Sequence, residues 1–127
     1  MIEGRWGHVT GAIVKAAYRV HWRLGPGLLE SAYEACLAHE VRKRGITVRT
    51  QVPLPLVYDE VSLDAGYRLD MLVAEHAVVE IKVVEKIKPV HASQVLSYMR
   101  LGRFPAGLLL NFHVHRMEDG IKRFTDE

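Results

Sequence analysis

The hydrophobic pattern switches from a helical period to a strand-like one at Gly45, and that switch constrains the fold more than any other feature. Before it, Val9, Ala12, Ile13, Ala16, Ala17, Val20 and Leu24 recur at three- and four-residue steps, so residues 8–24 read as an amphipathic helix. Gly25-Pro26-Gly27 breaks it. A second helix, about 28–44, carries Tyr33, Leu37 and Val41 on one stripe and ends on Arg42, Lys43 and Arg44. Those cations suit the negative end of the helix dipole, and Gly45 suits the position just past it. After Gly45 the chain turns Val- and Leu-rich. Residues 46–58 carry Pro53 and Pro55 and read as an edge or irregular strand. Residues 65–73 and 77–84 read as strands joined by a tight turn at Glu75-His76. Pro89 opens a third helix, about 89–102, stopped by Gly102. The apolar run 106–111 reads as a buried strand, with a last short strand over 120–124. This order predicts an α/β chain, a mixed sheet flanked by helices.

A chain of 127 residues is read as a single domain, 1–127. Ile2-Glu3-Gly4-Arg5 looks like a processing-protease site, a possible cloning remnant, so residues 1–5 stay out of the fold. Cys36 is the only cysteine, which excludes an intramolecular disulfide and zinc-ribbon spacing. With no membrane-length apolar run and no signal-peptide core, the expected location is cytoplasmic, with no membrane partner. Seventeen Lys and Arg against fifteen Asp and Glu leave a net charge of +2, too little for binding that rests on global charge.

Some polar residues stand where such a fold would place apolar ones. In Val78-Val79-Glu80-Ile81-Lys82-Val83-Val84, Glu80 and Lys82 share one strand face. They are either a solvated ion-paired face or a buried pair in need of partners. Asp70 lies in the preceding strand. Across a turn near residue 75 it should stand opposite Glu80, unless a bulge shifts the register. Opposed carboxylates repel, and a hard divalent cation, Mg²⁺ or Mn²⁺, would relieve them. Glu30 falls within the apolar stripe of the second helix and Glu34 at its margin. Glu30 either has a partner there or only complements the helix dipole. On the third helix His91, Gln94 and Tyr98 project together, although His91 alone reads first as a helix-start or core histidine. His113 and His115 share a face but lack a third zinc ligand.

The constellation Glu30 … Asp70 … Glu80-Ile81-Lys82 … Gln94-Val95-Leu96-Ser97-Tyr98 resembles the PD-(D/E)XK nuclease superfamily. Within it, Gly27-Leu28-Leu29-Glu30-Ser31-Ala32-Tyr33 is similar to the motif naming the GxxExxY family. Gly66-Tyr67-Arg68-Leu69-Asp70 and Leu108-Leu109-Leu110-Asn111-Phe112 look like further stretches of that family.

The resemblance implies a restriction-endonuclease-like αβββαβ core with the 8–24 helix added at the N-terminus. It implies metal-dependent hydrolysis of phosphodiester bonds in nucleic acid, with DNA favoured over RNA. Asp70, Glu80 and the Ile81 carbonyl would hold Mg²⁺ or Mn²⁺, and Glu30 would complete the acidic shell. Lys82 would orient the attacking water and stabilise phosphate charge. Gln94, Tyr98 and His91 would support the site or touch the phosphate backbone. Residues 82–103 hold Lys82, Lys86, Lys88, Arg100 and Arg103 against Glu85 alone, either a solvated exterior or a basic surface for a polyanion. A homodimer would enlarge the surface offered to a duplex. The alternative is a nucleic-acid-binding or scaffolding module with a nuclease-like fold and no cleavage.

Overall fold

The computed structural model describes residues 7–64 and 66–125, so the reading of residues 1–5 lies outside the described residues. Helix α1 spans Gly7–Leu24 and buries Val9, Ile13, Ala16, Ala17 and Val20, the stripe its periodicity predicts. Helix α2 spans Glu30–Lys43 and buries Tyr33, Leu37, Ala38 and Val41. Between them, Gly25 and Gly27 adopt φ of 67° and 102°, which a side chain would oppose. Tyr33 anchors this turn: its hydroxyl donates to the Gly25 carbonyl at 2.5 Å and accepts the Leu28 N–H at 3.1 Å. Its ring stacks on Phe112 with centroids 4.6 Å apart.

The strands that follow are β1 (Val48–Pro53), β2 (Leu56–Tyr58), β3 (Val61–Leu63), β4 (Arg68–Val73) and β5 (Ala77–Lys82). Helix α3 (Pro89–Gly102) then leads to β6 (Ala106–Asn111), a short 3-10 turn at Met117–Gly120 and β7 (Ile121–Thr125). The main sheet has the order β1-β4-β5-β6-β7. Neighbours are antiparallel except β5 and β6, which are parallel and joined through α3. With β2 and β3 set aside, the order α2-β1-β4-β5-α3-β6 is the expected αβββαβ core, with α1 added before it. This is a restriction-endonuclease-like fold.

Residues 46–58 are not one strand. Strand β1 takes the sheet edge, as the prolines suggest, and β2 with β3 forms a separate hairpin. Its turn residues Asp59 and Glu60 both adopt positive φ, 52° and 66°. That geometry normally uses Asn-Gly, so the sequence carried no hairpin signal. Strand β4 begins at Arg68 rather than residue 65, and β5 ends at Lys82 rather than 84.

Helices α1 and α2 cover one face of the sheet, over Met71, Val73, Val79, Ile81, Leu108 and Leu110. Helix α3 covers the other with Val95, Tyr98 and Met99, over Leu69, Leu72, Val78 and Leu109. Strands β5 and β6 therefore lack a solvated face, which explains their nearly continuous apolar sequence. At Gly107 a Cβ would meet Met99 Sδ at 2.7 Å and Val95 Cγ1 at 2.8 Å, so α3 lies flush on β6. Gly102 ends α3 for a steric reason: the Phe104 ring fills the space its side chain would need. The left-handed turn itself falls on Arg103, at φ 58°. No helix among the described residues is long and apolar enough to cross a membrane.

Candidate functional site

The β4–β5 ladder runs Val73↔Ala77, Leu72↔Val78 and Met71↔Val79. One step further, Asp70 faces Glu80, and side chains replace the main-chain ladder. The Asp70 N–H donates to Glu80 Oε2 at 3.1 Å, and the Ile81 N–H donates to Asp70 Oδ2 at 2.8 Å. Each strand thus satisfies its neighbour's backbone with a carboxylate.

Glu80 is only 3% exposed, so the solvated-face alternative fails for it. Burial, then the Asp70 charge, pushes its pKa from 4.5 to about 8. Burial also raises Asp70, against the Ile81 N–H and the Lys82 ammonium, which both lower it. Lys82 closes β5, half-buried, and its charge favours ionisation of both acids.

Two neighbours of this pair are Gln51, which carried no sequence signal, and Glu34, which the helical stripe placed at its margin. Gln51 opposes Asp70 on β1, where its φ of 53° interrupts the ladder between Thr50↔Met71 and Val52↔Leu69. Its amide donates to Glu34 Oε1 at 2.8 Å and also hydrogen-bonds Asp70. Burial raises the Glu34 carboxyl, with Asp70 and Glu30 adding to the effect. Nothing local marks Gln51, because its importance comes from register alone.

Glu30 shares the helical face of Tyr33, Leu37 and Val41 but is not buried with them. It is exposed at the first residue of α2. Its charge still reaches Glu34 and Glu80 and raises both. His91 Nδ1 accepts the Lys88 N–H at 2.9 Å, a helix-start role. Gln94 Nε2 donates to the Tyr98 hydroxyl at 2.9 Å, and Tyr98 lies against Tyr67 with ring centroids 6.0 Å apart. Burial raises the Tyr98 hydroxyl, and Glu80 and Asp70 contribute, which places it within their electrostatic reach. Lys86 and Lys88 are exposed on the loop before α3.

Asn111 fixes the chain beyond Lys82. Its Oδ1 accepts the Val84 and His113 N–H groups, each at 3.1 Å, and its Nδ2 donates to the Val84 carbonyl at 2.9 Å. The signal was a lone polar residue ending an apolar run, buried here to 2% exposure.

Among the described residues, no three His, Cys, Asp or Glu side chains converge as a preformed metal cage, His113 and His115 included. The donors the structure brings together are the carboxylates of Asp70 and Glu80. That set fits a hard cation such as Mg²⁺, which binds through one or two carboxylates and keeps several waters. The fit is electrostatic too, because the Asp70 charge adds to burial in raising Glu80, and a cation beside the pair would offset both.

A comparison with curated proteins finds no match, and neither does one with solved structures. A family model described as the PD-(D/E)XK nuclease superfamily matches residues 7–124. That span runs from the start of α1 into β7 and contains both facing carboxylates and the lysine beyond them, so the chain belongs to the PD-(D/E)XK nuclease superfamily.

Proposed function

We propose that the protein is a divalent-metal-dependent nuclease that hydrolyses phosphodiester bonds, acting on DNA in preference to RNA. We assign it to the GxxExxY branch of the superfamily, on Gly27, Glu30 and Tyr33. The observation that carries the reading is the reciprocal bracing of Asp70 and Glu80 across two strands, with Lys82 two residues on. A binding module has no need of a buried glutamate whose ionisation a neighbouring aspartate opposes.

Asp70, Glu80 and the Ile81 carbonyl would hold Mg²⁺ or Mn²⁺. Such an ion supplies Lewis-acid polarisation of a phosphate oxygen and a more acidic bound water. The chain's own residues do the rest. The two backbone bonds hold the carboxylates in place, so little reorganisation is needed when substrate arrives. Lys82 orients the attacking water and offsets charge developing on the phosphate. Asn111 holds the chain just after Lys82 and thereby limits its movement. Glu30, exposed at the start of α2, adds to the acidic shell at its rim. Lys86 and Lys88 offer exposed cations to the polyanion. A lone free thiol at Cys36 suits a reducing, cytoplasmic setting.

The test is incubation of end-labelled single-stranded DNA, duplex DNA and RNA with Mg²⁺ or Mn²⁺. Cleavage by the natural chain and none by Asp70→Ala is expected. Equal cleavage by the variant, or no cleavage of any substrate, refutes the proposal.

A further inference from the structure

Around Tyr98, which lies within electrostatic reach of Glu80 and Asp70, is a cavity of about 410 Å³ whose walls include Leu56, Tyr67, Gln94 and Arg100. A second cavity, of about 420 Å³, includes Val90, His91 and Ser93. The two share Gln94 and Ser97, so together they form one groove along α3. Each is of the size that small-molecule ligands occupy.

The chemistry of the first cavity is specific. Tyr67 is 42% exposed, although its ring rests on the buried Tyr98. An aromatic ring that contacts a buried second ring yet stays open to solvent can serve as a stacking platform. The Gln94 amide donates to Tyr98 and keeps its carbonyl oxygen for another partner. Arg100, exposed on the cavity wall, is a cation for a phosphate. Tyr67 stands three residues before Asp70, roughly 10 Å away at the rise of an extended chain.

We propose that this groove seats unstacked nucleobases, with one base on Tyr67, and that the substrate is therefore a single-stranded nucleic acid. A base inside a duplex has both faces covered by its neighbours and can offer Tyr67 only an edge. An unpaired base offers its face, and every base has one, so the contact is tolerant of sequence. Stacking also answers the charge problem. A chain with a net charge of +2 gains little from bulk attraction to phosphate and needs a second source of affinity. The inference rests on the nuclease reading above for its choice of ligand.

The experiment is fluorescence anisotropy with the full chain in EDTA, which blocks cleavage. The probes are labelled oligonucleotides of about 12 nucleotides: single-stranded DNA, single-stranded RNA, a hairpin duplex, and a single strand with abasic positions. Single strands should bind at least about 5-fold more tightly than the duplex. Tyr67→Ala should weaken single-strand binding about 5- to 100-fold, as expected for losing one stacked base, and leave duplex binding unchanged. Tyr67→Phe, which keeps the ring, should bind as the natural chain does. Abasic positions should reproduce the Tyr67→Ala loss, and the two changes together should not add. The DNA and RNA arms tell which sugar the groove accepts.

Unchanged binding by Tyr67→Ala, or equal losses on duplex and single strand, overturns the inference while leaving the nuclease reading intact. Loss of single-strand binding in Tyr67→Ala without metal-dependent cleavage by the natural chain does the reverse. Failure to bind any of the probes overturns the inference and leaves the nuclease reading to the cleavage test.

Discussion

Glu80→Gln should make the metal-free protein more stable at alkaline pH, although it removes a charged group from the candidate site. The glutamate is 3% exposed and titrates near 8 rather than 4.5, first through burial and then through the Asp70 charge. Between those values the folded chain holds a proton that the unfolded chain has released. Stability therefore falls as pH rises through this window, and the penalty is complete above about 8. Taken at face value, that displacement is worth up to about 5 kcal/mol. Sharing of the proton with Asp70 and relaxation toward water reduce it, and a difference of ~2 kcal/mol is expected. Glutamine keeps the geometry: its carbonyl can accept the Asp70 N–H, and its amide can donate to the Asp70 carboxylate. The assay is urea unfolding of both proteins in EDTA at pH 5, 7 and 8.5. The two midpoints should be close at pH 5, and the variant's should be higher by about 1 M urea at pH 8.5. Added Mg²⁺ should close the gap by stabilising only the natural chain. A variant less stable than the natural chain at pH 8.5, or a difference independent of pH, would refute the reasoning.

Three further outcomes follow from the packing and the site. Gly107→Ala should lower stability by about 1–3 kcal/mol, because its Cβ would press on Met99 and Val95, whereas Gly11→Ala, with open space around it inside α1, should raise it by up to ~1 kcal/mol; thermal melts separate the two. Asn111→Ala should cost about 2–4 kcal/mol by breaking three hydrogen bonds, and hydrogen exchange at the Val84 amide should speed up more than in the centre of the sheet. Asp70→Ala should abolish the rise in melting temperature that Mg²⁺ gives the natural chain, as followed by calorimetry; an undiminished rise would place the cation elsewhere.

The three helices, β6 and the αβββαβ order could be read from the sequence because each rests on local chemistry. Val9, Ile13, Ala16 and Val20 repeat at helical steps whatever they pack against, and Pro89 marks a helix start without help from the rest of the chain. The placement of Asp70 opposite Glu80 was legible for a related reason: a tight turn fixes antiparallel register by counting. The β2–β3 hairpin was not, because Asp59-Glu60 is an unusual pair for its turn and three-residue strands give no period.

The sequence by itself determined which residues alternate, where the helices begin and end, and that two carboxylates and a lysine lie on adjoining strand positions. Only the tertiary structure decided how much water each one keeps. Glu30 and Glu80 are both glutamates in apolar surroundings on paper. One is exposed at the start of α2, and the other lies in a strand covered on both faces with its pKa near 8. Gln51 reaches Asp70 only because a distant strand lies beside it in that register, and Tyr67 meets the Tyr98 ring only because another element brings it there. Desolvation and cross-strand contact depend on what arrives from elsewhere in the chain, and no local pattern encodes that arrival.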